Sequence, residues 1–279
     1  MIRKEVWKAF HNPYFYFAII VGVSISLADN IGVFRLVQEL CELSGFNSRA
    51  SIPTYHNISL WRLWFPYIPS TFGGYLFFYV WPLLAALPYG WSYLEEKKTG
   101  SFHQSVSRCG RNTYVISKIV ACFISGGVAV ALPLVQNLLV DAMFCPVTLP
   151  DPAFNYPIFN GLFASKLFYS HPWIYALLWC FMNFLFGGTT AVLCLVPGSL
   201  PRFRITVIMF PMVFYLLIEI IYNHFLAIVG HFSYSIAPLH LVWASPMDYN
   251  PAWLITIQLC ILLSIGIYAG FWQVLKHEL

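Results

Sequence analysis

Long apolar runs alternate with polar stretches along this 279-residue chain. A helix that crosses a bilayer needs about 20 mostly apolar residues, and six runs approach that length. They are Tyr14–Ala28, Thr71–Trp91, Val115–Val140, Trp173–Val196, Ile205–Val229 and Trp253–Trp272. The first is the shortest, and the apolar residues after Asp29 offer it a continuation. The pattern predicts an all-α, polytopic membrane protein with six transmembrane helices, all in a single transmembrane domain over residues 1–279.

The first dozen residues have a pattern unlike that of the spans. Their apolar residues share one helical face, while Arg3, Lys4 and Lys8 lie off it. This pattern predicts an N-terminal amphipathic elbow helix over residues 1–12 that lies on the membrane surface and ends before Pro13. A basic tail that serves only to orient the chain is the alternative.

Two loop segments are long enough to hold structure of their own. Residues 29–70, between the first two spans, include an apolar helical face around Val33 and Val37, which predicts an outer segment lying along the membrane. Residues 231–251 are apolar but interrupted by Pro238 and Pro246. They predict a broken, re-entrant outer segment between spans five and six rather than a seventh span.

The composition agrees with a lipid environment and limits the partners. Hydrophobic residues make up 59% of the chain and charged residues 9%, whereas soluble domains carry about 25% charged residues. The net charge of +4 is small and scattered, so nucleic acid is not an expected partner. The seven cysteines form no CxxC motif, which predicts no metal site. Cys41 and Cys145 fall in predicted outer segments, which leaves a disulfide between them open.

Lysine and arginine are unequally divided between the two sides of the predicted spans. Eleven lie on one side: Arg3, Lys4, Lys8, Lys97, Lys98, Arg108, Arg111, Lys118, Arg202, Arg204 and Lys276. Four lie on the other: Arg35, Arg49, Arg62 and Lys166. Because positive charge collects on the cytoplasmic side, the imbalance places both termini in the cytoplasm of a multi-pass plasma-membrane protein. Tryptophans near the span ends agree with this orientation.

The loop between spans two and three, residues 93–114, is richer in charge than topology requires. Glu95 and Glu96 contribute little to the positive-inside rule, yet they precede Lys97, Lys98 and the helix breaker Gly100. A short charged helix on the cytoplasmic side is a surface that a soluble partner can hold. A solvated turn that only orients the chain is the alternative.

The same loop resembles that of ABC type-2 permeases. The shared features are an acidic pair, a Gly-Ser step, and an arginine seven residues before a lysine: here Glu95-Glu96, Gly100-Ser101, Arg111 and Lys118. The basic amphipathic start, which leads through Phe10-His11-Asn12-Pro13 into the first span, also resembles the family, as does the broken segment between the last two spans. The run Gln104–Cys109 departs from the Leu-Leu-Ser-x-Pro sequence that the family often has there.

The resemblance implies a transport subunit rather than an enzyme. It implies that this chain forms half of a transmembrane dimer with a second permease chain, identical or paralogous, and that the inner loop 93–111 docks on a separate ATP-binding subunit. The residues implied in coupling to that ATPase are Glu95, Glu96, Lys97, Lys98, Gly100, Ser101, Phe102, Arg111 and Lys118. The chain has no G-x-x-x-x-G-K-[ST] motif, so ATP and Mg would bind the partner, and no cofactor is expected on this chain.

Glu219 lies near the middle of span five, where an unpaired charge costs on the order of 3 kcal/mol. Tyr215, Tyr222 and Asn223 share its helical face, so this polar stripe is expected to face protein or a water-filled path. One interpretation is a gate or substrate contact on the dimer axis. A protonated Glu219 that is hydrogen-bonded to a neighbouring helix is equally open.

Span four carries Asn183, Gly187 and Thr190 on one face, and small residues of this kind allow close packing of helices in lipid. Two other classes of function are weighed against an exporter. A secondary transporter or channel would use Glu219, although such proteins usually place several ionisable groups at mid-membrane. A membrane-embedded enzyme would need a clustered acid, base or metal set, which the sequence does not offer. The transported substrate is not set by the sequence.

Overall fold

The computed structural model describes residues 1–46, 59–64, 71–150, 163–197, 203–229, 237–239 and 251–276. The helices in these ranges are α1 (Ile2–Phe10), α2 (Pro13–Phe46), α3 (Leu60–Leu63), α4 (Phe72–Ala86), α5 (Ser92–Lys98), α6 (Ser101–Cys109), α7 (Arg111–Phe144), α8 (Ser165–Ser170), α9 (Pro172–Leu193), α10 (Arg204–Val229) and α11 (Ala252–Lys276). Within them, α2, α7, α9, α10 and α11 are long and apolar enough to cross a membrane, and α4 is apolar but shorter. The chain is therefore an all-helical, multi-pass membrane protein.

Helices α7 and α9 form the centre of the bundle, where small residues bring their backbones together. A Cβ atom added to Gly126 would lie 2.4 Å from Cβ of Ala191 and 3.0 Å from the carbonyl oxygen of Gly187. Gly188 likewise leaves room for the ring of Phe123. Such close approach strengthens dispersion contacts between helices in lipid, where the hydrophobic effect does not drive them together.

The remaining long helices surround this central pair. Helices α2 and α4 pack on α7, α10 packs on α4, and α11 packs on α9. Gly22 of α2 lies against Pro133 of α7, and Gly266 of α11 lies against Val192 of α9. On their outward sides α2, α10 and α11 expose large apolar side chains. A surface this apolar is unfavourable in water and suits lipid or another membrane chain.

The first spanning helix is longer than the predicted Tyr14–Ala28, and the predicted outer segment 29–70 begins inside it. Helix α2 runs without a break to Phe46. The polar pair Asp29 and Asn30 does not end the helix because side chains of α4 and α7 satisfy it, burying both residues to 1% and 3% exposure. The helix therefore continues past Asp29, as the apolar residues after that position allowed.

The second predicted span, Thr71–Trp91, is also shorter in the structure. Helix α4 has 15 residues and ends at Ala86, two residues before Pro88, so it falls below the length of a typical span. The count of six spans therefore remains a prediction that depends on α4. The predicted re-entrant segment 231–251 lies almost entirely outside the described residues. Cys145 is a free, buried thiol, and the side chain of Cys41, the disulfide partner that the sequence left open, lies outside the described residues.

Candidate functional site

The ammonium group of Lys118 is buried where the short helices meet the membrane helices. Lys118 lies in the second turn of α7 and is 1% exposed. Its Nζ atom is 2.6 Å from Oε2 of Glu5 and 2.7 Å from Oε1 of Glu96, and it donates to the Tyr89 hydroxyl at 3.2 Å. The rings of Tyr89 and Tyr114 lie 4.8 and 5.8 Å from it, which adds cation–π stabilisation. These five residues are called the Lys118 cluster below.

Glu5 brings α1 into the Lys118 cluster. The side chain is 2% exposed and lies on the face of α1 that packs on α7 together with Ala9. The Tyr89 hydroxyl donates to Oε2 at 2.7 Å, and Lys8 donates to Oε1 at 2.8 Å. Burial alone would raise the pKa of Glu5, but the charge of Lys118 and these hydrogen bonds outweigh it and lower the pKa to about 2. Glu5 is therefore ionised at neutral pH.

Glu96 connects α5 to the same cluster. Its Oε1 pairs with Lys118, and its Oε2 accepts a hydrogen bond from the Tyr114 hydroxyl at 2.6 Å. The two carboxylates of Glu5 and Glu96 thus share one lysine, and the three charges come from α1, α5 and α7. Breaking such a buried pair by removing one partner is strongly unfavourable, so the cluster fixes these three helices relative to one another.

Glu95 connects α5 to α10 by a second ion pair. Two nitrogens of Arg204 donate to its two carboxylate oxygens, Nε to Oε2 at 2.7 Å and Nη2 to Oε1 at 2.5 Å, the bidentate geometry that arginine favours. The guanidinium carbon lies 4.8 Å from the ring centroid of Trp91, and Nη1 donates to the Tyr14 hydroxyl at 3.4 Å. This pair is more exposed than the Lys118 cluster.

Helices α5 and α6 form a hairpin that extends beyond the paired carboxylates. Gly100, at φ +72°, makes the turn between them, a conformation that glycine adopts without strain. Phe102 is buried against Tyr93 and Tyr114, which packs the hairpin onto α7. Its tip and the outer side of α6 are exposed: Lys98, Thr99, Gly100, His103, Gln104, Ser107 and Arg108.

The nine residues implied in ATPase coupling therefore divide into three groups by their contacts and exposure. Glu95, Glu96, Lys118 and Phe102 make contacts inside the chain, whereas Lys98 and Gly100 are exposed at the hairpin tip. The other three, Lys97, Ser101 and Arg111, are half-buried.

Sequence reasoning missed four residues that contact Lys118, Glu96 or Glu95: Glu5, Tyr89, Tyr114 and Arg204. One signal was available. Glu5 is the only acidic residue among the first 28, and an acid on a basic amphipathic helix is a candidate partner for a lysine buried elsewhere.

The residues of the predicted polar stripe in span five differ in burial and in their contacts. Tyr215 is fully buried and shares a hydrogen bond of 2.8 Å with Thr190 of α9, and its ring lies 5.6 Å from that of Trp81. Tyr222 is also buried, while Asn223 is exposed and donates to Oε1 of half-buried Glu219 at 3.1 Å. Tyr215 thus serves packing between α10 and α9, and Glu219 has a polar partner in its own helix.

The predicted packing face of span four lies in the centre of the bundle. Asn183 and Thr190 are buried, and their side chains donate to backbone carbonyls of their own helix, the amide to Trp179 at 2.9 Å and the hydroxyl to Phe186 at 2.7 Å. Gly187 lies against Val130 of α7. This face therefore packs α9 on α7.

A recess of about 330 Å³ lies between α10 and α11. Its described lining is almost wholly apolar and includes Phe214, Ile218, Trp253, Ile257 and Leu262. Such a recess suits an acyl chain or another apolar group rather than a charged one.

Comparison with known proteins gives no relative for this chain. No protein-family description, curated protein or solved structure is detectably similar to it. The functional conclusion therefore depends on the geometry and on the residues themselves.

Proposed function

We propose that this chain is the membrane-spanning permease subunit of an ATP-driven exporter, of the ABC type-2 kind. It forms one half of a dimeric translocation pathway in the plasma membrane, with six spans, both termini in the cytoplasm and α1 as the elbow helix. ATP and Mg bind a separate subunit. The observation that carries this proposal is the α5–α6 hairpin, which is tied to the membrane helices at its base and exposed at its tip.

The two ion pairs supply the route by which a partner could move the spans. Glu96 ties the hairpin to α7 through Lys118, and Glu95 ties it to α10 through Arg204. Helix α7 in turn packs along α9, and α10 packs on α4. A displacement of the hairpin is therefore transmitted to several spans as a rigid-body shift rather than absorbed by a loop.

The structure-based roles differ between the base and the tip of the hairpin. Lys98, Gly100 and Arg108 present the exposed surface that an ATPase would contact. Glu95, Glu96 and Lys118 position the hairpin and transmit its movement. Because the exposed side of α6 ends in a basic residue, we expect an acidic patch on the partner.

The direct test is cross-linking in native membranes. A photo-reactive amino acid at Gln104, exposed on α6, should capture a protein that contains a P-loop motif, identified by mass spectrometry. The same amino acid at Ile220, which is 61% exposed on α10, is the matched control and should capture no ATPase. Capture of no nucleotide-binding protein from Gln104 would contradict the proposal.

Two charge-reversal variants distinguish an effect of the hairpin on ATPase binding from an effect of basic surface charge in general. Arg108→Glu should abolish co-purification of the ATPase, because it reverses the charge on the exposed side of α6. Lys4→Glu, an equally exposed basic residue on α1, should leave co-purification intact. Equal loss in both variants would assign the effect to membrane attachment rather than to the hairpin.

A secondary transporter or channel that uses Glu219 is the less supported alternative. Glu219 accepts a hydrogen bond from Asn223 in its own helix, and the described lining of the neighbouring recess is apolar. Nothing in the described part of the chain aligns further ionisable groups with Glu219 along α10. An embedded enzyme has no supporting observation.

A further inference from the structure

We propose that the junction of α2, α4 and α7 binds a small hard cation, Na⁺ or Ca²⁺, through side-chain oxygens of Asp141, Asn137 and Gln136. The site is at the end of α7 opposite to the Lys118 cluster. It is argued independently of the exporter proposal, because it depends only on the polar groups buried there.

Five polar side chains from two helices meet at this junction. Asp29 and Asn30 come from α2, and Gln136, Asn137 and Asp141 come from α7. Asn137 and Asp141 are four residues apart and therefore share one face of α7, and both are fully buried. Their register brings both side chains to α2 at the level of Asp29 and Asn30.

Asp29 is well satisfied within the protein. Its Oδ1 accepts from the hydroxyl of Thr71, the N-cap residue of α4, and its Oδ2 accepts from the Asn137 amide at 3.2 Å. The backbone amide of Gly74 also donates a hydrogen bond to it. The N-terminus of a helix stabilises negative charge, so α4 holds this carboxylate in place.

Asp141 is not satisfied in this way. Its Oδ1 accepts from the Asn30 amide at 2.7 Å, but its Oδ2 is buried and has no hydrogen-bond partner in the described structure. The Asn137 amide nitrogen donates to Asp29 and to the Ser26 carbonyl. The amide oxygen of Asn137, Oδ1, therefore points away from these two acceptors, and it also has no hydrogen-bond partner in the described structure. These two oxygens are the buried, unpartnered groups of the site.

Gln136 supplies a third acceptor. Its amide nitrogen donates to Oδ1 of Asn30 at 3.2 Å, and its Oε1 is buried without a partner among the described residues. The donors of the junction, Thr71, Asn30, Asn137 and Gln136, are all committed to other acceptors. An excess of buried oxygen acceptors is an unusual arrangement, and a bound group that carries positive charge would satisfy them.

No basic side chain supplies that charge in the described part of the chain. The ion pairs found there involve Lys8, Lys118 and Arg204, and none includes Asp29 or Asp141. The free acceptors are one carboxylate oxygen and two amide oxygens, which are hard oxygen ligands of the kind that Na⁺ and Ca²⁺ prefer. No group of three His, Cys, Asp or Glu side chains placed to hold a metal ion occurs in the described ranges, so the proposed site depends on the amide oxygens beside the carboxylate.

A cation explains the geometry better than a bound proton does. One proton on Asp141 would turn its free carboxylate oxygen into a single donor. That donor could satisfy only one of the two free amide oxygens, of Asn137 and Gln136. A cation binds five or more oxygen ligands, so each of the three acceptors is a candidate ligand for it. Partial exposure of Gln136 on the outward side of the junction offers an entry path.

The test uses the purified full-length chain in detergent and measures thermal unfolding by intrinsic tryptophan fluorescence. NaCl is titrated against choline chloride at constant ionic strength, and CaCl₂ against MgCl₂. A bound cation should raise Tm in a saturable way, as mass action requires, and radioactive ²²Na⁺ or ⁴⁵Ca²⁺ should bind with the same half-saturation. The salt that acts identifies the cation.

Two variants and one control locate the site. Asp141→Asn should abolish the cation-dependent shift, and Gln136→Ala should raise the half-saturating concentration several-fold, so one variant suffices if the other misfolds. Glu39→Gln, an exposed acid on α2, should respond as the unmodified chain does. Equal shifts with choline, an unchanged response in Asp141→Asn, or stabilisation by low pH alone without any cation effect would each overturn the proposal.

Discussion

The two ends of α7 hold charge in opposite ways. Lys118 and Asp141 are 23 residues apart on one helix, which corresponds to about 35 Å, close to the thickness of a bilayer core. Around Lys118 two carboxylates and the Tyr89 hydroxyl converge on one cation. Around Asp141 two carboxylates converge with amide oxygens, and no cation from the described residues meets them.

The difference shows at which end of α7 the buried charges are satisfied by residues of this chain and at which end they are not. The Lys118 cluster satisfies its charges internally and joins three helices, so it acts as a structural joint. The junction at Asp141 has acceptors to spare, so it acts as a binding site. Removing charge should therefore have opposite consequences at the two ends of the same helix.

The largest effect is expected from Lys118→Met. This change leaves buried Glu5 and half-buried Glu96 with only the exposed Lys8 as a nearby cation, which should lower the free energy of unfolding by about 3–5 kcal/mol. Lys8→Met is the matched control, since the Lys8 side chain is 53% exposed and such pairs contribute only about 0.2–1 kcal/mol. Steric-trap unfolding in bicelles measures both. Similar losses in the two variants would mean that Lys118 is not the joint.

The next largest effect is expected from acid, which should remove the contribution of Glu5 to stability. The pKa of Glu5 falls from 4.5 to about 2 on folding, so its contribution is complete above about pH 4.5 and is lost as the pH falls towards 2. The linked stability is about 3 kcal/mol. Spin labels at Lys4 on α1 and Asn112 on α7 should keep a fixed separation at pH 5 and lose it near pH 2. Glu5→Gln should weaken this step, and an unchanged transition in that variant would show that another carboxylate controls it.

A smaller effect of opposite sign is expected at Asp141. In cation-free buffer Asp141→Asn should stabilise the chain by about 1–2 kcal/mol, because it removes a buried charge and supplies a donor where an acceptor had no partner. The same steric-trap measurement applies. A loss as large as that of Lys118→Met would remove the contrast between the two ends of α7.

The smallest effect is expected from Glu95→Gln. The pair with Arg204 is bidentate but exposed, with side-chain exposures of 29% and 40%, so solvent screening limits its contribution to about 0.5–1 kcal/mol. A loss above 2 kcal/mol in unfolding measurements would place this pair in the same class as the Lys118 cluster.

Much of the bundle could be predicted from apolar periodicity alone, because the runs that become α7, α9, α10 and α11 match the hydrocarbon thickness. The end of the first span could not. Asp29 and Asn30 resemble the polar end of a span, and the side chains that bury them come from residues 42 to 111 positions away.

The candidate site was predictable only in part, for a related reason. The charges of residues 95–98 mark the hairpin in the sequence, but Lys118 was predicted only as an ATPase-coupling residue at the start of span three, not as the buried partner of Glu5 and Glu96. Its burial depends on Glu5 and Glu96, which lie 113 and 22 positions from it. Pairings of this kind are set by how the helices pack, and the periodicity of a single helix does not contain them.

The central claim, that the charged hairpin faces the cytoplasm, is tested most directly by labelling Cys109. This native cysteine is exposed at the end of α6. In a Cys260→Ser background, a membrane-impermeant maleimide should label it in inside-out vesicles and not in right-side-out vesicles. A cysteine introduced at Met143, which is 85% exposed at the other end of α7, should show the reverse. Labelling of Cys109 from the outside would contradict the account.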